Sequence, residues 1–353
     1  TSISEGEVGV SNLTWETALK ENIGFELGLW NALELQVDLF KEKRTNIFMQ
    51  RKIISTQTGF LNSPWANYGK VTNRGVEFTL NYNKQINDDW FVGFRSSFTY
   101  AINRVDEYDE PETVIGTYRG LTGRSLNTLW GLQAERLFTE DDFDENGNLK
   151  FGIPTQDVGA STVRPGDIKY KDMDGDGVIT DDEGYIGGTV DPRIVYGWGG
   201  NVRFKNWDLN FFFQGVGDTY RVIGGSEYFI PGSGQGLMGN IYSNYNDRWT
   251  EGNPSQDVFW PRLSESPNKQ NYRSSTWWKQ NMRFMRLKNL EIGYFLPKVV
   301  NNKMHTKSIR IYLSGNNLLC FSPFKLWDPE LNTGDGLQYP AMRSVMVGID
   351  LNF

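Results

Sequence analysis

An acidic run of twelve residues, DMDGDGVITDDE, begins at Asp172 and has the residue types and spacing of a metal site. Its pattern is that of a calcium-binding loop, with carboxylates at positions 1, 3 and 5, glycine at 6, a backbone carbonyl at 7 and glutamate at 12. Calcium takes about six to eight oxygen ligands, and carboxylates this close repel one another unless a cation neutralises them. The predicted Ca²⁺ ligands are Asp172, Asp174, Asp176, Val178, Thr180 and Glu183.

The residues around this run do not favour helices. Pro165 and Gly166 precede it, and Gly184, Gly187 and Gly188 follow it. Because glycine and proline oppose helix formation, an EF-hand switch is not predicted. We expect a structural calcium ion that fixes a long loop, and the alternative is an acidic hairpin without an ion.

A second acidic run extends from Glu140 to Gly147 and lacks the glycine and the final glutamate of the calcium pattern. Its Asn146-Gly147 pair is typical of a hairpin turn. We therefore predict a solvated loop here, with a second ion site as the weaker alternative.

Other catalytic chemistry finds little support in the composition. Cys320 is the single cysteine and His305 the single histidine, which excludes an intrachain disulfide and opposes a His/Cys zinc site or a Ser-His-Asp triad. No carboxylate pair has the context expected of a glycosidase, so an enzyme is not predicted. The net charge of −7 argues against nucleic acid as a partner.

The elements that must position the acidic run are β-strands, and the last of them is the clearest. Residues 342–353 read MRSVMVGIDLNF, in which alternate positions from Val345 to Phe353 are apolar. A period of two places these side chains on one face of a strand. Bacterial outer-membrane barrels commonly end on such a strand, and Phe353 is then the predicted membrane-assembly signal. Taken alone, the strand also fits the edge of a soluble β-protein.

The same alternation recurs along the chain, at residues 23–29, 33–39, 76–82, 90–100, 198–204, 207–213, 290–294 and 309–313. Short turns between these segments alternate with long connections, at 106–193 and 220–283 among others. The order predicts an all-β fold, a transmembrane antiparallel up-and-down β-barrel with short periplasmic turns and long extracellular loops. The piece from Leu129 to Phe138 then belongs to a loop, and the carboxy terminus is periplasmic.

The pattern predicts about nine strands, which is an odd number for such a barrel. The first of these strands also has no partner strand on its outer edge within these residues. Because a barrel in lipid must close, we interpret residues 1–353 as the carboxy-terminal part of a larger barrel.

Several motifs, in the order in which they occur along the chain, resemble the SusC/RagA family of TonB-dependent outer-membrane transporters. They are LTWE from Leu13, NRGVE from Asn73, PGDIKY from Pro165, DRWT from Asp247, RLKNL from Arg286, RIYLSGNNL from Arg310, DPE from Asp328 and the closing residues 348–353.

The resemblance implies an integral barrel of the outer membrane of Bacteroidetes, with outer-membrane lipid around it. Energised transporters of this kind have about 22 strands and a plugged lumen, so this chain supplies somewhat under half of the wall. The plug and the segment that contacts the TonB complex are not in these residues. The implied activity is TonB-dependent import of oligosaccharides or peptides, with a SusD-like lipoprotein as lid.

Three other functions compete with this interpretation. One is a TonB-dependent receptor for a siderophore or another small nutrient, which would lack the lid. Another is a calcium-stabilised, glycan-binding β-protein that transports nothing. The third is an outer-membrane barrel enzyme, whose activity would depend on one acidic pair. Aromatic residues of the second long loop bear on the first two, because they could stack on sugar rings or contact the lid, or pack among the loops. The candidates are Trp249, Trp260, Trp277 and Trp278.

Overall fold

The computed structural model describes residues 8–10, 12–156, 162–224, 241–264, 268–331 and 333–353. Its strands are β1 Thr17–Leu29, β2 Leu33–Gln50, β3 Trp65–Gln85, β4 Trp90–Glu107, β5 Ala134–Leu137, β6 Thr155–Gln156, β7 Ile168–Tyr170, β8 Val178–Ile179, β9 Ile194–Phe204, β10 Trp207–Gly217, β11 Tyr220–Val222, β12 Lys279–Asn281, β13 Phe284–Phe295, β14 Ser308–Phe321 and β15 Ser344–Asn352. Two short helices are α1 Lys269–Tyr272 and α2 Lys298–Lys303. No helix in the described ranges is long and apolar enough to cross a bilayer.

Nine of these strands form one sheet in the order β1-β2-β3-β4-β9-β10-β13-β14-β15. Every neighbouring pair in this sheet is antiparallel, so the strands run up and down in chain order. The predicted all-β, up-and-down architecture of a barrel wall is confirmed. The predicted exclusion of residues 129–138 from the sheet is also confirmed, because β5 pairs with β7 instead.

The register gathers apolar side chains on one side of the sheet, which we call the outer face. Val37 is paired with Phe78, and Phe78 with Phe98. Residues directly opposite in neighbouring strands share a face, so the alternation of each strand continues across the sheet. On β15, Val347 is 76% exposed and Ile349 is 62% exposed. An exposed apolar surface of this extent marks a surface that contacts lipid or another protein.

The opposite side, the inner face, carries polar side chains and one extended ion network. Arg310 on β14 bonds to Asp208 on β10, Nε to Oδ2 at 3.0 Å, and to Glu291 on β13, Nη2 to Oε1 at 2.6 Å. Its Nη1 lies 3.3 Å from an Asp350 carboxylate oxygen on β15. One guanidinium therefore links four neighbouring strands near their turn ends.

Two details of the strands differ from the prediction. β2 continues to Gln50 and β3 begins at Trp65, far beyond the apolar alternation that ends at Leu39 and begins at Val76. Charged residues occupy both faces of these extensions, which hides the period of two. The connection from Pro297 to Ser308, predicted as a turn, contains α2. Phe353 follows β15 and is 72% exposed, and its role in assembly stays a prediction.

Gly75 explains one of the motifs and provides a test of the packing. It pairs with Phe40 across the sheet, and an added Cβ would lie 2.5 Å from the Phe40 ring and 2.2 Å from the Tyr100 carbonyl oxygen. Gly75→Ala in the full-length protein should therefore destabilise the barrel by roughly 1–3 kcal/mol. The measurement is the temperature at which the purified protein unfolds in mild detergent.

Gly28→Ala is the matched control, because no atom lies within 4 Å of a Cβ added at this strand glycine. Equal unfolding temperatures for the two variants would contradict the described packing around Gly75.

Candidate functional site in the loop layer

The long loops lie at one end of the sheet and pack on one another. Because the strands are antiparallel, β4 ends and β9 begins at this end of the sheet. β10 likewise ends and β13 begins here. We call the described parts of residues 108–193 and 218–283 the loop layer. Its interior is an apolar cluster that also includes Phe324 from the next loop; its buried members are Leu132, Leu137, Ile168, Tyr170, Ile179, Ile223, Trp249, Trp260, Trp278, Met282 and Phe324.

Asp167 is the polar centre of the loop layer and is fully buried. From the second loop, the Nε and Nη2 atoms of Arg262 donate to its two carboxylate oxygens at 3.0 and 3.1 Å. The side-chain amides of Asn268 and Asn271 donate to Oδ1 at 2.7 and 3.0 Å. A buried carboxylate is stable only with such charged and hydrogen-bonding partners, so this contact fixes the first long loop to the second.

A second set of bonds lies beside Asp167. The Tyr170 hydroxyl donates to the Gln270 carbonyl oxygen at 2.8 Å, and the Gln270 side-chain amide donates to the Ile168 carbonyl at 2.6 Å. Burial raises the pKa of Tyr170 well above its usual range, which keeps the hydroxyl a donor. β7 and α1 are therefore joined by hydrogen bonds from a side chain of each element to a backbone carbonyl of the other.

The structure brings together half of the predicted calcium ligands. One carboxylate oxygen from each of Asp172, Asp174 and Asp176 lies within 4.8 Å of the others. Asp172 accepts the backbone N–H of Gly175 at 2.6 Å and that of Gly177 at 2.9 Å. Burial opposes ionisation of Asp172, but the backbone donors outweigh it and hold the pKa of this carboxyl below its ordinary value. The three oxygens are of the kind that Ca²⁺ prefers.

Glu183 is not part of this group of three carboxylates. It is buried, and its oxygens accept the backbone N–H of Met173 at 3.1 Å and of Thr180 at 2.7 Å. Glu183 therefore closes the acidic run upon itself. Val178 begins β8, which pairs in parallel with β6.

Two residues from an earlier part of the first loop face Asp174. The Tyr118 hydroxyl donates to its Oδ2 at 3.1 Å, and Arg119 Nη2 lies 3.6 Å from the same oxygen. The acidic run is thus in contact with residues more than fifty positions earlier in the chain. An ion bound by these carboxylates would therefore also restrain the part of the first loop around Tyr118 and Arg119.

The second acidic run is only partly the solvated loop that was predicted. Its turn is as expected, with Gly147 at φ +79° and Asp144 Oδ1 accepting the Asn146 N–H at 2.9 Å. The prediction of solvation was wrong for Asp142, which is buried and pairs with both terminal nitrogens of Arg136 at 2.6 and 2.7 Å. Burial alone would raise the pKa of Asp142, but Arg136 and further donors lower it well below its usual range.

The four tryptophans proposed to contact a substrate or lid lie in or against the apolar cluster. Trp260 is fully buried, and Trp249 and Trp278 are 6% and 2% exposed. Trp277 packs against the cluster and donates from Nε1 to the Phe259 carbonyl at 3.0 Å. Burial of Trp249, Trp260 and Trp278 supports the packing alternative for these three, because a buried ring has no free face for a sugar or a protein, whereas Trp277 is half-buried.

Comparisons with known proteins agree with the motifs and the fold. No family model matches the chain. The sequence is 26% and 28% identical to two TonB-dependent receptors of Formosa agariphila, over 97% and 100% of this chain and 34% and 36% of theirs. It is 22% identical to the TonB-dependent receptor SusC of Bacteroides thetaiotaomicron, over 97% of this chain and 32% of SusC.

Solved structures give the same result for the fold. A chain of the RagAB peptide importer in its open-open state superposes with a TM-score of 0.72 at 24% identity, over 98% of this chain and 36% of that one. The closed-closed state gives 0.67 at 24% identity over 97% and 36%. The resemblance to the SusC/RagA family of TonB-dependent transporters is thus confirmed, and the chain spans about a third of the length of these relatives.

Removing the Asp167 carboxylate tests whether it joins the two long loops. Asp167→Ala should leave the Arg262 guanidinium and the Asn268 amide without their carboxylate partner, which costs roughly 3–5 kcal/mol locally for a buried pair. We expect faster amide hydrogen exchange at 164–171 and 262–272 in the full-length protein, with the sheet unchanged. Asp257→Ala, an exposed acid of the same layer, is the control. Equal exchange in both variants would show that Asp167 does not join the loops.

Proposed function

We propose that this chain forms part of the wall of a TonB-dependent importer in the bacterial outer membrane, with its carboxy terminus on the periplasmic side. The observation that carries the proposal is the outer face, which is apolar in register across the nine-stranded sheet. An apolar outer face can contact lipid, and a polar inner face can line a filled lumen. The similarity to receptors named TonB-dependent supports the energy source, which would act through residues outside this chain.

The proposed cargo is an oligosaccharide or a peptide, taken up with a SusD-like surface lipoprotein as lid. Similarity to SusC supports this class of importer, and the RagAB structures are described as those of a peptide importer. The position of the loop layer at one end of the sheet supports a lid contact there. We further propose that the chain is not itself an enzyme.

Purification and uptake test this function together. The full-length protein, extracted from outer membranes in mild detergent, should co-purify with a surface lipoprotein. Cells lacking the gene should fail to accumulate one class of labelled oligosaccharide or peptide, and a proton uncoupler should have the same effect on wild-type cells. Uptake of every tested oligosaccharide and peptide at wild-type rates in the deletion strain would reject the proposal.

We also propose that the acidic run binds Ca²⁺ as a structural ion, with Asp172, Asp174 and Asp176 as carboxylate ligands. Their convergence supports the proposal, since three anions at this distance are strongly stabilised by a divalent cation. Val178, Thr180 and Glu183 complete the predicted oxygen set. Ion binding would fix the first loop, whose acidic run already contacts Tyr118.

Metal analysis and proteolysis test the calcium site separately from transport. The wild-type protein should retain about one Ca²⁺ per chain, and the double variant Asp174→Asn/Asp176→Asn should lose it. Protease cleavage between residues 106 and 193 should increase on chelation and in that variant. Asp141→Asn/Glu145→Gln in the second acidic run is the control, since both side chains are exposed. Unchanged cleavage with no bound calcium in the wild type would exclude the ion.

A further inference from the structure

The outer face bears a cluster of cations where the apolar rows meet the loop layer. A cavity of about 470 Å³ lies here, and its charged lining residues are Lys41, Arg74, Arg104, Asp106, Arg124 and Arg193. We call the five basic residues among them the outer basic cluster. In a chain of net charge −7, five cations around a cavity with one carboxylate are a local excess of positive charge.

The register places this cluster relative to the apolar rows. Leu39 is paired with Val76, and Val76 with Tyr100. Two residues further toward the loops on the same face, Lys41 is paired with Arg74. Since side chains alternate with a period of two, these cations directly continue the row of apolar side chains.

Arg193 is compensated, because its Nη1 lies 3.1 Å from an Asp218 carboxylate oxygen. The remaining salt bridges near the cavity leave much of the charge of the other four cations uncompensated. Lys41 Nζ lies 3.6 Å from Glu21, with both side chains more than half exposed, and Arg104 Nε lies 4.0 Å from Asp106. Such exposed pairs neutralise little. The side chain of Arg74 has no ion pair or hydrogen bond among the residues that the structure describes.

Arg124 is held rigidly at the back of the cavity. Its guanidinium lies 3.4 Å from the centroid of the Tyr185 ring, and Nη2 donates to the Thr117 carbonyl at 2.6 Å. Its Nη1 is buried and has no hydrogen-bond partner in the described part of the chain. A fixed guanidinium with a free donor is well suited to an anionic oxygen.

We propose that the outer basic cluster binds the phosphate of a membrane lipid in the leaflet on the loop side. The acyl chains would lie along the apolar row that includes Val76 and Tyr100, while the phosphate meets Lys41 and Arg74. Free phosphate would not need the apolar row, so the continuity of the two surfaces favours a lipid. This inference rests on the proposed position in a membrane.

Lipid retention by the full-length protein tests the site. The protein, purified in mild detergent, is incubated with phosphatidic acid or with phosphatidylcholine, and bound lipid is counted by native mass spectrometry. We expect wild-type protein to retain phosphatidic acid preferentially. Lys41→Gln/Arg74→Gln should weaken this retention about tenfold or more, from loss of two cations near the headgroup.

Two controls separate the site from general charge and from misfolding. Arg95→Gln/Arg203→Gln removes the same charge from the inner face and should retain phosphatidic acid as the wild type does. Arg74→Gln alone, at an exposed side chain, is the variant to use if the double variant does not fold, and it should weaken retention about fivefold.

The outcomes distinguish the inference from the proposed function. Equal retention of both lipids, or unchanged retention in the outer variants, would overturn the lipid site. Displacement of phosphatidic acid by equimolar inorganic phosphate would show a site for free phosphate and overturn the lipid as ligand. Failure of the protein to insert into vesicles, measured by extraction at alkaline pH, would instead refute the membrane position itself.

Discussion

The pairing of backbone N–H and C=O groups between neighbouring strands is the constraint on which the rest of this structure depends. An unpaired backbone group in hydrocarbon costs several kcal/mol, so a sheet in the proposed membrane position needs nearly regular pairing over its apolar height. Regular pairing in turn fixes the side-chain alternation, and it produces both the outer face and the inner face. The longest connections, 108–193 and 218–283, lie at the loop end, where they build an interior of their own.

That second interior follows soluble-protein rules. Tryptophans such as Trp260 fill it, and a buried carboxylate, Asp167, is satisfied by Arg262 and two asparagine amides. The sheet is thus held mainly by backbone pairing, whereas the loop layer is held by side-chain packing and by charge. The two halves respond to different changes: a glycine such as Gly75 matters to the first, and a carboxylate matters to the second.

The sheet could be predicted from the sequence because the period of two in a strand is visible within a few neighbouring residues. The alternation from Val345 to Leu351 needs no knowledge of any distant residue. Asp167 could not be found in this way, since its side-chain partners lie 95 to 104 positions further along the chain. The residues around it, VRPGDIKYK, include Arg164 and Lys169 and do not mark Asp167 as buried. Glu183 was assigned as a ligand by its spacing, and that role stays a prediction; the spacing did not reveal that its oxygens accept the backbone N–H groups of Met173 and Thr180.

The chain order of the strands sets a sequence of events for folding. Every neighbouring pair in the sheet except β4 with β9 and β10 with β13 is joined by a single connection without another strand inserted, so these hairpins can form as soon as both strands exist. The partners of Asp167 follow β10 in the chain, so the first long loop is complete well before the residues that hold it. Until those residues join, Asp167 and apolar side chains such as Ile168 lack part of their native contacts, although Phe138, Phe143 and Val163 can already pack together. The first long loop therefore acquires its full set of native contacts only after the second long loop has folded onto it.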